Sequence, residues 1–414
     1  MSKKNVVVGQ SGGPTSVINA SLYGVVTGFL GSEKIDKIYG MVNGIQGFLA
    51  GKTTILSDLS ADELEILKTT PASYLKSCRF KLPEDLDDPV YPQLISRFEE
   101  MNIGYFFYIG GNDSMDTVSK LSRYGQKIGS DIIFMGVPKT IDNDLIVTDH
   151  TPGYGSAAKY VATTVRECAL DAGVYAAPCV TVIEIMGRHA GWLTAASVLA
   201  RKFEGDAPQL IYLPEIAFDI DQCVEDVKKA LEKTNNVVVC VSEGIADSNG
   251  TFICEYAGGG DGAVDSFGHK KLTGSGKYLS EYIGAKCGVK VRSIEFGIIQ
   301  RCGASLASAT DITEASMAGS EAAKAALEGK TGMMVAFIRE PGDEYKITYQ
   351  LTDVNEVCNK EKPFPAEWIT DNGTNIGEGY IKYATPLIQG ASPVKLVDGL
   401  PAFLDLATAK VYTE

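Results

Sequence analysis

The sequence predicts a doubly wound α/β protein with mostly parallel sheets. Short apolar runs rich in β-branched residues alternate with longer helical patterns along most of the chain. Six of these predicted strands run into polar turns, nearly all of which contain glycine. Ligands of open α/β sheets bind outside the carboxyl ends of the strands, so we expect the functional residues in these turns.

Composition limits the possible functions. The chain has 414 residues, 45% of them hydrophobic and 22% charged, which fits two or three globular domains. It contains no run of eighteen apolar residues, and its polar start is too short for a signal peptide, so we expect no membrane span. Nine scattered cysteines without a Cys-x-x-Cys pair favour reduced thiols and a cytoplasmic location.

A formal net charge of −14 argues against nucleic acid and anionic membranes as partners. An anionic ligand would therefore need a local cationic site. Backbone N–H groups, a few Arg or Lys side chains and Mg²⁺ are the components we expect there.

The first strand, residues 5–9, leads into the turn Gln10–Ser16 and a helix over about 17–30. A strand, a glycine turn and a helix form a phosphate-cradling layout. The turn lacks the Gly-Lys-Ser/Thr of a Walker A loop and the spacing of a dinucleotide fingerprint. A tight turn that needs glycine only for its backbone is the alternative.

A second glycine turn, Gly110–Asp116, follows the apolar strand 105–109 and opens a helix to about residue 124. Between the two turns we expect a strand near 38–41, a helix over about 61–68 behind a capping box, and a helix over about 91–100. Acidic side chains at a helix start can cap its N–H groups. The alternative interpretation is that Asp113 faces a phosphate through a metal ion.

The loop after the apolar run 132–135 carries a cation, a hydroxyl and two carboxylates: Lys139, Thr140, Asp142 and Asp144. Lys139 can neutralise phosphate oxygens, and one Asp can accept a hydroxyl proton while the other holds a metal or positions the first. This set suits phosphoryl transfer. A solvated polar loop is the alternative for an isolated match.

The second half repeats the pattern as far as residue 338. We expect strands over about 180–185, 208–213, 237–241 and 333–338, an extended stretch over 290–299, a long loop over 256–276, and helices over about 151–171, 192–201, 225–233, 277–286 and 311–327. After Pro341 the sequence gives no assignable pattern.

Taken in order, these turns resemble the phosphofructokinase superfamily, and within it the pyrophosphate-dependent 6-phosphofructokinases. The resemblance runs from Val6 to about Leu327. The segments that carry it are Ser11–Thr15, Gly110–Ser114, Pro138–Asp144, Met186–Arg188, Ser242–Gly244 and Gln300–Arg301.

The resemblance implies a role for each candidate residue. Asp142 would deprotonate the 1-hydroxyl of fructose 6-phosphate, with Thr140 and Asp144 beside it. The residues implied for pyrophosphate and Mg²⁺ are Gly12, Gly13, Arg79, Asn112 and Lys139, with Asn112 as the metal contact, direct or through water. Those implied for fructose 6-phosphate are Thr140, Ile141, Asp142, Met186, Gly187, Arg188, Glu243, Arg292, Ile298 and Arg301.

Two residues bear on the choice of phosphoryl donor. In ATP-using relatives glycine stands at the positions of Asp113 and Lys139, which leaves room for the α-phosphate of the nucleotide. An Asp side chain fills that space and repels the nucleotide, whereas Lys139 can stabilise charge developing on pyrophosphate. The resemblance therefore implies pyrophosphate as donor.

Three positions depart from the family pattern. Asn112 stands where many members have a metal-binding Asp, and Cys179 stands where bacterial ATP-dependent enzymes have a subunit-bridging Arg. Ile298 stands where His or Tyr is frequent near the sugar phosphate. The loop around Lys270 and Lys271 is one candidate for that last contact, and a solvated basic spot is the alternative interpretation of these two residues.

The resemblance further implies two Rossmann-like three-layer domains with the active site in the cleft between them. We assign residues 1–153 plus about 301–350 to the donor domain, and 154–300 plus part of 351–414 to the fructose 6-phosphate domain. A homodimer or homotetramer is implied, because some phosphate-binding Arg residues come from a neighbouring subunit in this family.

Three other functions compete with this reading. They are an ATP-dependent 6-phosphofructokinase of the same fold, a non-catalytic sugar-phosphate-binding regulatory subunit, and a dinucleotide-binding oxidoreductase. The presence of Asp142, Lys139 and Asp113 together argues against a non-catalytic regulatory subunit. The missing G-x-G-x-x-G pattern disfavours the oxidoreductase.

Overall fold

The computed structural model describes residues 3–256, 272, 274–406 and 411–413. The strands are β1 Lys4–Gln10, β2 Ile35–Met41, β3 Lys52–Ile55, β4 Ile103–Gly110, β5 Ile133–Pro138, β6 Cys179–Ile185, β7 Leu210–Tyr212, β8 Asn236–Ser242, β9 Lys290–Glu295, β10 Met333–Arg339, β11 Ile347–Asp353, β12 Ile369–Thr370, β13 Asn375–Ile376, β14 Leu396–Val397, β15 Leu400–Pro401 and β16 Val411–Thr413.

Helices connect most of these strands. They are α1 Ile18–Phe29, α2 Gly44–Leu49, α3 Ala61–Thr69, α4 Val90–Glu100, α5 Asn112–Ile128, α6 Tyr154–Ala172, α7 Trp192–Ala195, α8 Ile220–Leu231, α9 Ile253–Tyr256, α10 Ser275–Cys287, α11 Ala309–Leu327, α12 Val354–Val357 and α13 Glu378–Ala384.

The chain divides into two compact units. Unit 1 comprises Met1–Ser156, Arg301–Glu361 and Gly390–Glu414. Unit 2 comprises Ala157–Gln300 and Lys362–Gln389. Both units are therefore discontinuous in sequence.

Unit 1 is a three-layer α/β structure on an eight-stranded sheet of order β11-β10-β5-β4-β1-β2-β3-β16. The five central strands are parallel, and β11, β3 and β16 add antiparallel edges. Alternate residues of each strand enter different cores, because successive side chains point to opposite faces. Val6 and Phe107 pack in one core with α1 and α11, while Val7 and Phe106 pack in the other with α4 and α5.

Glycines allow α1 and α11 to pack backbone against backbone. A Cβ on Gly24 would lie 1.9 Å from the carbonyl oxygen of Ser316, and one on Gly319 would lie 2.2 Å from that of Ser21. Only glycine permits this approach without moving a helix. The contact fixes the position of α11. Two side chains of this helix, Asp311 and Glu314, bind residues between 150 and 156, close to the loop that follows β5.

Unit 2 is built on a parallel four-stranded sheet of order β7-β8-β6-β9. Apolar residues of β6 and β8 pack with α8 and α10 in one core. The segment Lys362–Gln389 adds an aromatic cluster around Trp192, formed by Phe364, Trp368, Tyr380 and Tyr383. The predicted α/β class is thus confirmed, with each unit built on a mostly parallel sheet.

Several boundaries differ from the sequence prediction. The segment after Trp192 is one turn of α-helix continued by a 3-10 helix over Ala196–Ala200, and α8 begins five residues earlier than expected. The extended stretch after Lys290 ends at Glu295, and residues 297–301 form a 3-10 turn. Most of the predicted long loop, including Lys270 and Lys271, lies outside the described residues.

All nine cysteines lie in the described part of the chain and are free thiols. Among the described residues, no helix has both the length and the apolar character that crossing a bilayer requires.

Candidate active site

Lys139 lies at the end of β5, and its ammonium sits on the turn that follows β1. The Nζ atom donates hydrogen bonds to the carbonyl oxygens of Ser11, at 2.9 Å, and Gly13, at 2.6 Å. A Cβ on Gly12 would lie 3.5 Å from this Nζ, and one on Gly13 would lie 3.3 Å from Nη1 of Arg301. The two glycines therefore let two cations approach the backbone of the turn.

The Lys139 side chain is only 2% exposed. Burial lowers its pKa to about 8, because the charged form loses hydration. The positive charges of Arg301 and Arg79 act in the same direction, whereas Asp142 and Asp144 oppose it. A buried ammonium among other cations is a strong site for a polyanion, which would restore its charge balance.

Thr140 and Asp142 form a compact pair directly after Lys139. The Thr140 hydroxyl donates to Oδ2 of Asp142 at 3.2 Å and accepts from the Asp142 backbone N–H at 3.1 Å. Burial raises the pKa of Asp142, although Thr140, Lys139 and Arg301 pull it down. A carboxylate made more basic in this way is suited to accept a hydroxyl proton.

The functional loop, residues 139–150, is held in place by residues 151–156. The Thr151 hydroxyl donates to the Thr140 carbonyl at 2.8 Å, and the Thr140 N–H donates to the Pro152 carbonyl at 3.2 Å. Asp311 of α11 accepts from the N–H groups of Gly153, at 2.9 Å, and Ser156, at 2.8 Å. Burial raises the pKa of Asp311 to about 6, partly offset by these bonds.

The turn after β4 places the first turn of α5 next to the same loop. The Lys139 N–H donates to the Gly110 carbonyl at 3.0 Å, and a Cβ on Gly111 would lie 3.5 Å from the Lys139 carbonyl oxygen. Gly111 is the N-cap and gives no side-chain cap. The positive end of α5 can therefore face an anion.

Asp113 and Asn112 occupy that first turn. The Asp113 carboxylate is 42% exposed and lies 3.9 Å from the Lys81 ammonium. The Asn112 amide is bonded to the C-terminal part of unit 1: its Oδ1 accepts from the Asn359 N–H at 2.5 Å, and its Nδ2 donates to the Lys360 carbonyl at 3.1 Å.

A metal ion that is also bound by phosphate oxygens would need only one or two carboxylates from the protein. Within the residues that the structure describes, no three His, Cys, Asp or Glu side chains cluster as a metal-binding group. Mg²⁺ needs no such cage, since it usually keeps several waters and binds one or two carboxylates plus phosphate oxygens. The partly exposed Asp113 carboxylate suits that role better than the Asn112 amide.

The remaining predicted residues of unit 1 are distributed around this site. Ile141 is buried between Thr140 and Asp142, and Arg79 is exposed. Asp144 and Arg79 act electrostatically on Lys139. Arg301, which the sequence assigned to the sugar phosphate, belongs to unit 1 and lies beside Gly13.

In unit 2 the turn after β6 meets the end of β8. The Gly187 N–H donates to Oε1 of Glu243 at 3.4 Å, and its carbonyl accepts from the Ser242 hydroxyl. The Met186 N–H donates to Oε1 of Gln300 at 3.2 Å. Gly187 has φ +145°, where a side chain is strained, and a Cβ there would lie 2.7 Å from the Ala190 carbonyl oxygen.

Arg188 lies against the β8 turn, because a Cβ on Gly244 would come within 2.0 Å of the Arg188 carbonyl oxygen. Arg292 instead pairs with Asp171 at 3.5 Å and lies over the Tyr175 ring at 5.4 Å. Ile298 is 61% exposed, and Cys179 is buried at the start of β6. The structure thus brings together Met186, Gly187, Arg188 and Glu243. Arg292 does not join them, because its side chain contacts Asp171 and Tyr175.

Sequence reasoning missed the residues that approach from the C-terminal part of unit 1. Asn359 binds Asn112 across 247 positions of sequence. The negative charge of Glu361 adds to burial in raising the pKa of Asp142. No local pattern near residue 360 indicated either contact.

Comparison with known proteins gives a consistent set of relatives. A family model described as phosphofructokinase matches residues 5–326. A pyrophosphate--fructose 6-phosphate 1-phosphotransferase of Halomonas elongata is 38% identical over 99% of this chain and 98% of that protein. A protein of the same name from Xanthomonas campestris is 39% identical over 99% of this chain and 98% of that protein.

A solved structure also matches nearly the whole chain. The crystal structure of a pyrophosphate-dependent phosphofructokinase from Marinobacter aquaeolei aligns with a TM-score of 0.88 and 36% identity. The alignment covers 99% of this chain and 97% of that one.

Proposed function

Because the chain belongs to the phosphofructokinase family, we propose that it transfers a phosphoryl group from pyrophosphate to the 1-hydroxyl of fructose 6-phosphate. The products are fructose 1,6-bisphosphate and orthophosphate. The observation that carries this proposal is the buried Lys139 ammonium, bonded to the Ser11 and Gly13 carbonyls and followed at once by the Thr140–Asp142 pair. The high coverage of relatives named for this reaction supports it.

Unit 1 supplies the donor side of the reaction. Pyrophosphate binds over the turn containing Gly12 and Gly13, where Lys139, Arg79 and Arg301 provide positive charge. Asp142 accepts the proton of the sugar hydroxyl as its oxygen attacks the nearer phosphorus, and orthophosphate leaves. Thr140 orients the Asp142 carboxylate, and Lys139 stabilises the charge that grows on the leaving group.

Mg²⁺ is the metal that we propose for this site. When bound, it neutralises phosphate oxygens and keeps the donor in one orientation. We assign Asp113 as a protein ligand because its carboxylate is partly exposed, and Asn112 remains a predicted contact, direct or through water.

Unit 2 supplies the sugar phosphate side. The Met186–Arg188 turn and Glu243 lie together there and supply a cation and a carboxylate. We assign these residues to fructose 6-phosphate, together with Arg292 and Ile298 as predicted contacts. A homodimer or homotetramer also stays a proposal.

The donor is tested by initial rates with purified protein, fructose 6-phosphate and Mg²⁺, with pyrophosphate or ATP supplied separately. We expect turnover with pyrophosphate that exceeds turnover with ATP by orders of magnitude. The reverse preference would identify an ATP-dependent enzyme. Fructose 6-phosphate binding without turnover of either donor would identify a silent sugar-phosphate-binding subunit.

A further inference from the structure

The Asn112 side chain makes two hydrogen bonds that require an amide. Its Oδ1 accepts from the Asn359 N–H at 2.5 Å, and its Nδ2 donates to the Lys360 carbonyl at 3.1 Å. A carboxylate of the same shape can only accept. Aspartate at position 112 would lose the second bond and set its negative oxygen against a carbonyl oxygen.

The residues that Asn112 binds belong to a segment with further anchors on α5. We call residues 354–361 the C-terminal strap; it consists of α12 and the four residues after it. Asn359 Nδ2 donates to Oδ1 of Asp116 at 3.0 Å, and the other oxygen of Asp116 pairs with the fully buried Lys120 at 2.6 Å. The Ser119 hydroxyl donates to Oδ1 of Asn355 at 2.7 Å.

Packing and backbone conformation support these anchors. Val354 and Val357 are buried in the same core as Val118 and Leu121 of α5. Asn359 has φ +60°, a conformation that Asn tolerates better than most residues. The strap is therefore held along two turns of α5 and ends at the first turn of that helix.

That position lies on the donor side of unit 1. Asn112 directly precedes Asp113, and Gly111 approaches the Lys139 carbonyl. A chain segment tied beside Asp113 restricts the space on this side of the donor site, which disfavours a donor as large as a nucleoside triphosphate.

We propose that Asn112 is a positioning residue that ties the C-terminal strap across the first turn of α5, and that the tied strap helps to exclude nucleoside triphosphates from the donor site. This inference rests on the proposed function, since it concerns the choice of donor. It explains why an amide stands at position 112.

The first arm of the test measures the strap itself, in the free protein and without turnover. Amide hydrogen exchange of peptides that cover residues 354–361 is compared among wild type, Asn112→Asp and Asn359→Ala. Each variant removes a hydrogen bond of the anchor, so we expect exchange there to accelerate by about tenfold or more. Asn249→Asp, at an exposed turn of unit 2, is the matched control. Unchanged exchange in both variants would overturn the anchoring role.

The second arm measures kcat/KM for pyrophosphate and for ATP in the same proteins. We expect the ratio of ATP to pyrophosphate to rise about tenfold in each variant, corresponding to one lost interaction. Asn359→Ala changes no group of the α5 first turn, so it separates strap anchoring from a new metal ligand at position 112. Faster exchange with an unchanged donor ratio would overturn the specificity role.

The two arms keep this inference separate from the proposed function. Wild-type protein that turned over neither donor would refute the proposed function and, with it, the exclusion of nucleotides. The exchange measurement would still decide whether Asn112 anchors the strap.

Discussion

Lys139 and Asp142 show how neighbouring residues can be driven toward opposite changes in proton affinity. Burial lowers the pKa of the lysine and raises that of the aspartate, because each loses hydration of its charged form. Their mutual attraction opposes both shifts. The pair therefore combines a cation that readily gives up its proton with a carboxylate that readily takes one.

Replacement of Lys139 by Met should remove a pH-dependent step. With a pKa of about 8, the lysine of the free enzyme loses its charge as pH rises through 8, and kcat/KM for pyrophosphate should fall along that limb. Lys139→Met should lack the limb and have kcat lower by about 10²–10³-fold. Titration of pyrophosphate is common to both proteins and cancels in their ratio.

The control for this experiment is Lys37→Met, which alters an exposed lysine of β2. It should keep the wild-type pH profile. An alkaline limb that survives in Lys139→Met would contradict the role assigned to this ammonium.

Asp142→Asn keeps the shape of the side chain but removes its basicity. We expect kcat to fall by about 10²–10⁴-fold with little change in KM for either substrate, as for loss of a general base. Steady-state rates with pyrophosphate and fructose 6-phosphate measure this. Asp131 is an exposed residue before β5, and Asp131→Asn should leave both kcat and KM unchanged. A fall confined to KM would assign Asp142 to binding instead.

At this scale the sequence predicted residues within one turn well and distant partners poorly. Lys139, Thr140 and Asp142 are successive or alternate residues after a strand; Thr140 hydrogen-bonds to Asp142, and Lys139 acts electrostatically on the same carboxylate. The bond from Asn359 to Asn112 depends on how a chain end folds back, and nothing within a few positions of either residue indicates it. The roles of the site residues in catalysis and binding stay predictions.

On the scale of elements, a buried charged network attaches the functional loop to α11 and β10. His150 is 1% exposed and lies 2.8 Å from Asp149 and 2.7 Å from Glu314. Arg339 donates to Asp149 at 2.9 Å, and the Tyr345 hydroxyl donates to Glu314 at 2.6 Å. Burial alone would lower the pKa of His150, but the two carboxylates raise it overall.

Replacement of His150 by Gln should destabilise the protein in a pH-dependent way. Because the folded-state pKa is raised above 6.5, the stabilisation is fully present below pH 6.5 and is lost as pH rises through the higher folded value. We expect a loss of about 3–5 kcal/mol near pH 6 that shrinks at alkaline pH, measured by urea unfolding.

The exposed His189 gives the control for this experiment, since His189→Gln should leave the unfolding midpoint unchanged at every pH. A His150→Gln deficit that stayed constant from pH 6 to pH 9 would show that the network does not depend on the charge of His150.

The contact of α1 with α11 makes a second element-scale prediction. Gly24→Ala would place a methyl group 1.9 Å from the Ser316 carbonyl oxygen, so the helices must separate. Overpacking of this kind costs about 1–3 kcal/mol, and α11 carries Asp311 and Glu314 of the loop attachment. Thermal unfolding should reveal the loss.

Gly284→Ala in α10 is the matched control, because its methyl group meets only ordinary contacts at 3.5 Å or more. It should be neutral or stabilising by up to about 1 kcal/mol, the usual gain of Ala over Gly in a helix. Equal unfolding temperatures for the two variants would contradict the close helix contact.

Element types were predictable wherever periodicity was strong. The run Val6–Val8, the apolar residues before Gly110 and the alanine-rich pattern of α11 gave the right elements within a few residues. The segment after Pro341 was not predictable. Its strand β11 is an edge strand with little burial and so has no clear apolar pattern. Its helices α12 and α13 are short and obtain their burial from distant helices and aromatic residues.

On the scale of the whole molecule, the C-terminal part of the chain contributes residues first to unit 1, then to unit 2 and then again to unit 1. Residues up to Glu361 pack on α5 of unit 1, and residues from Lys362 pack around Trp192 of unit 2. Sequence patterns gave the α/β class of both units, because parallel strands and crossover helices leave a strong signal. The same patterns could not predict the structure of the segment after Pro341, since its contacts depend on tertiary packing.

The central claim concerns the donor, and the most direct test is the donor preference of the double variant Asp113→Gly with Lys139→Gly, measured beside wild type. We expect kcat/KM for pyrophosphate to fall by about 10²-fold or more, with the loss of a charge-stabilising donor, and kcat/KM for ATP to rise. A double variant that used pyrophosphate as well as wild type does, and still rejected ATP, would contradict the account.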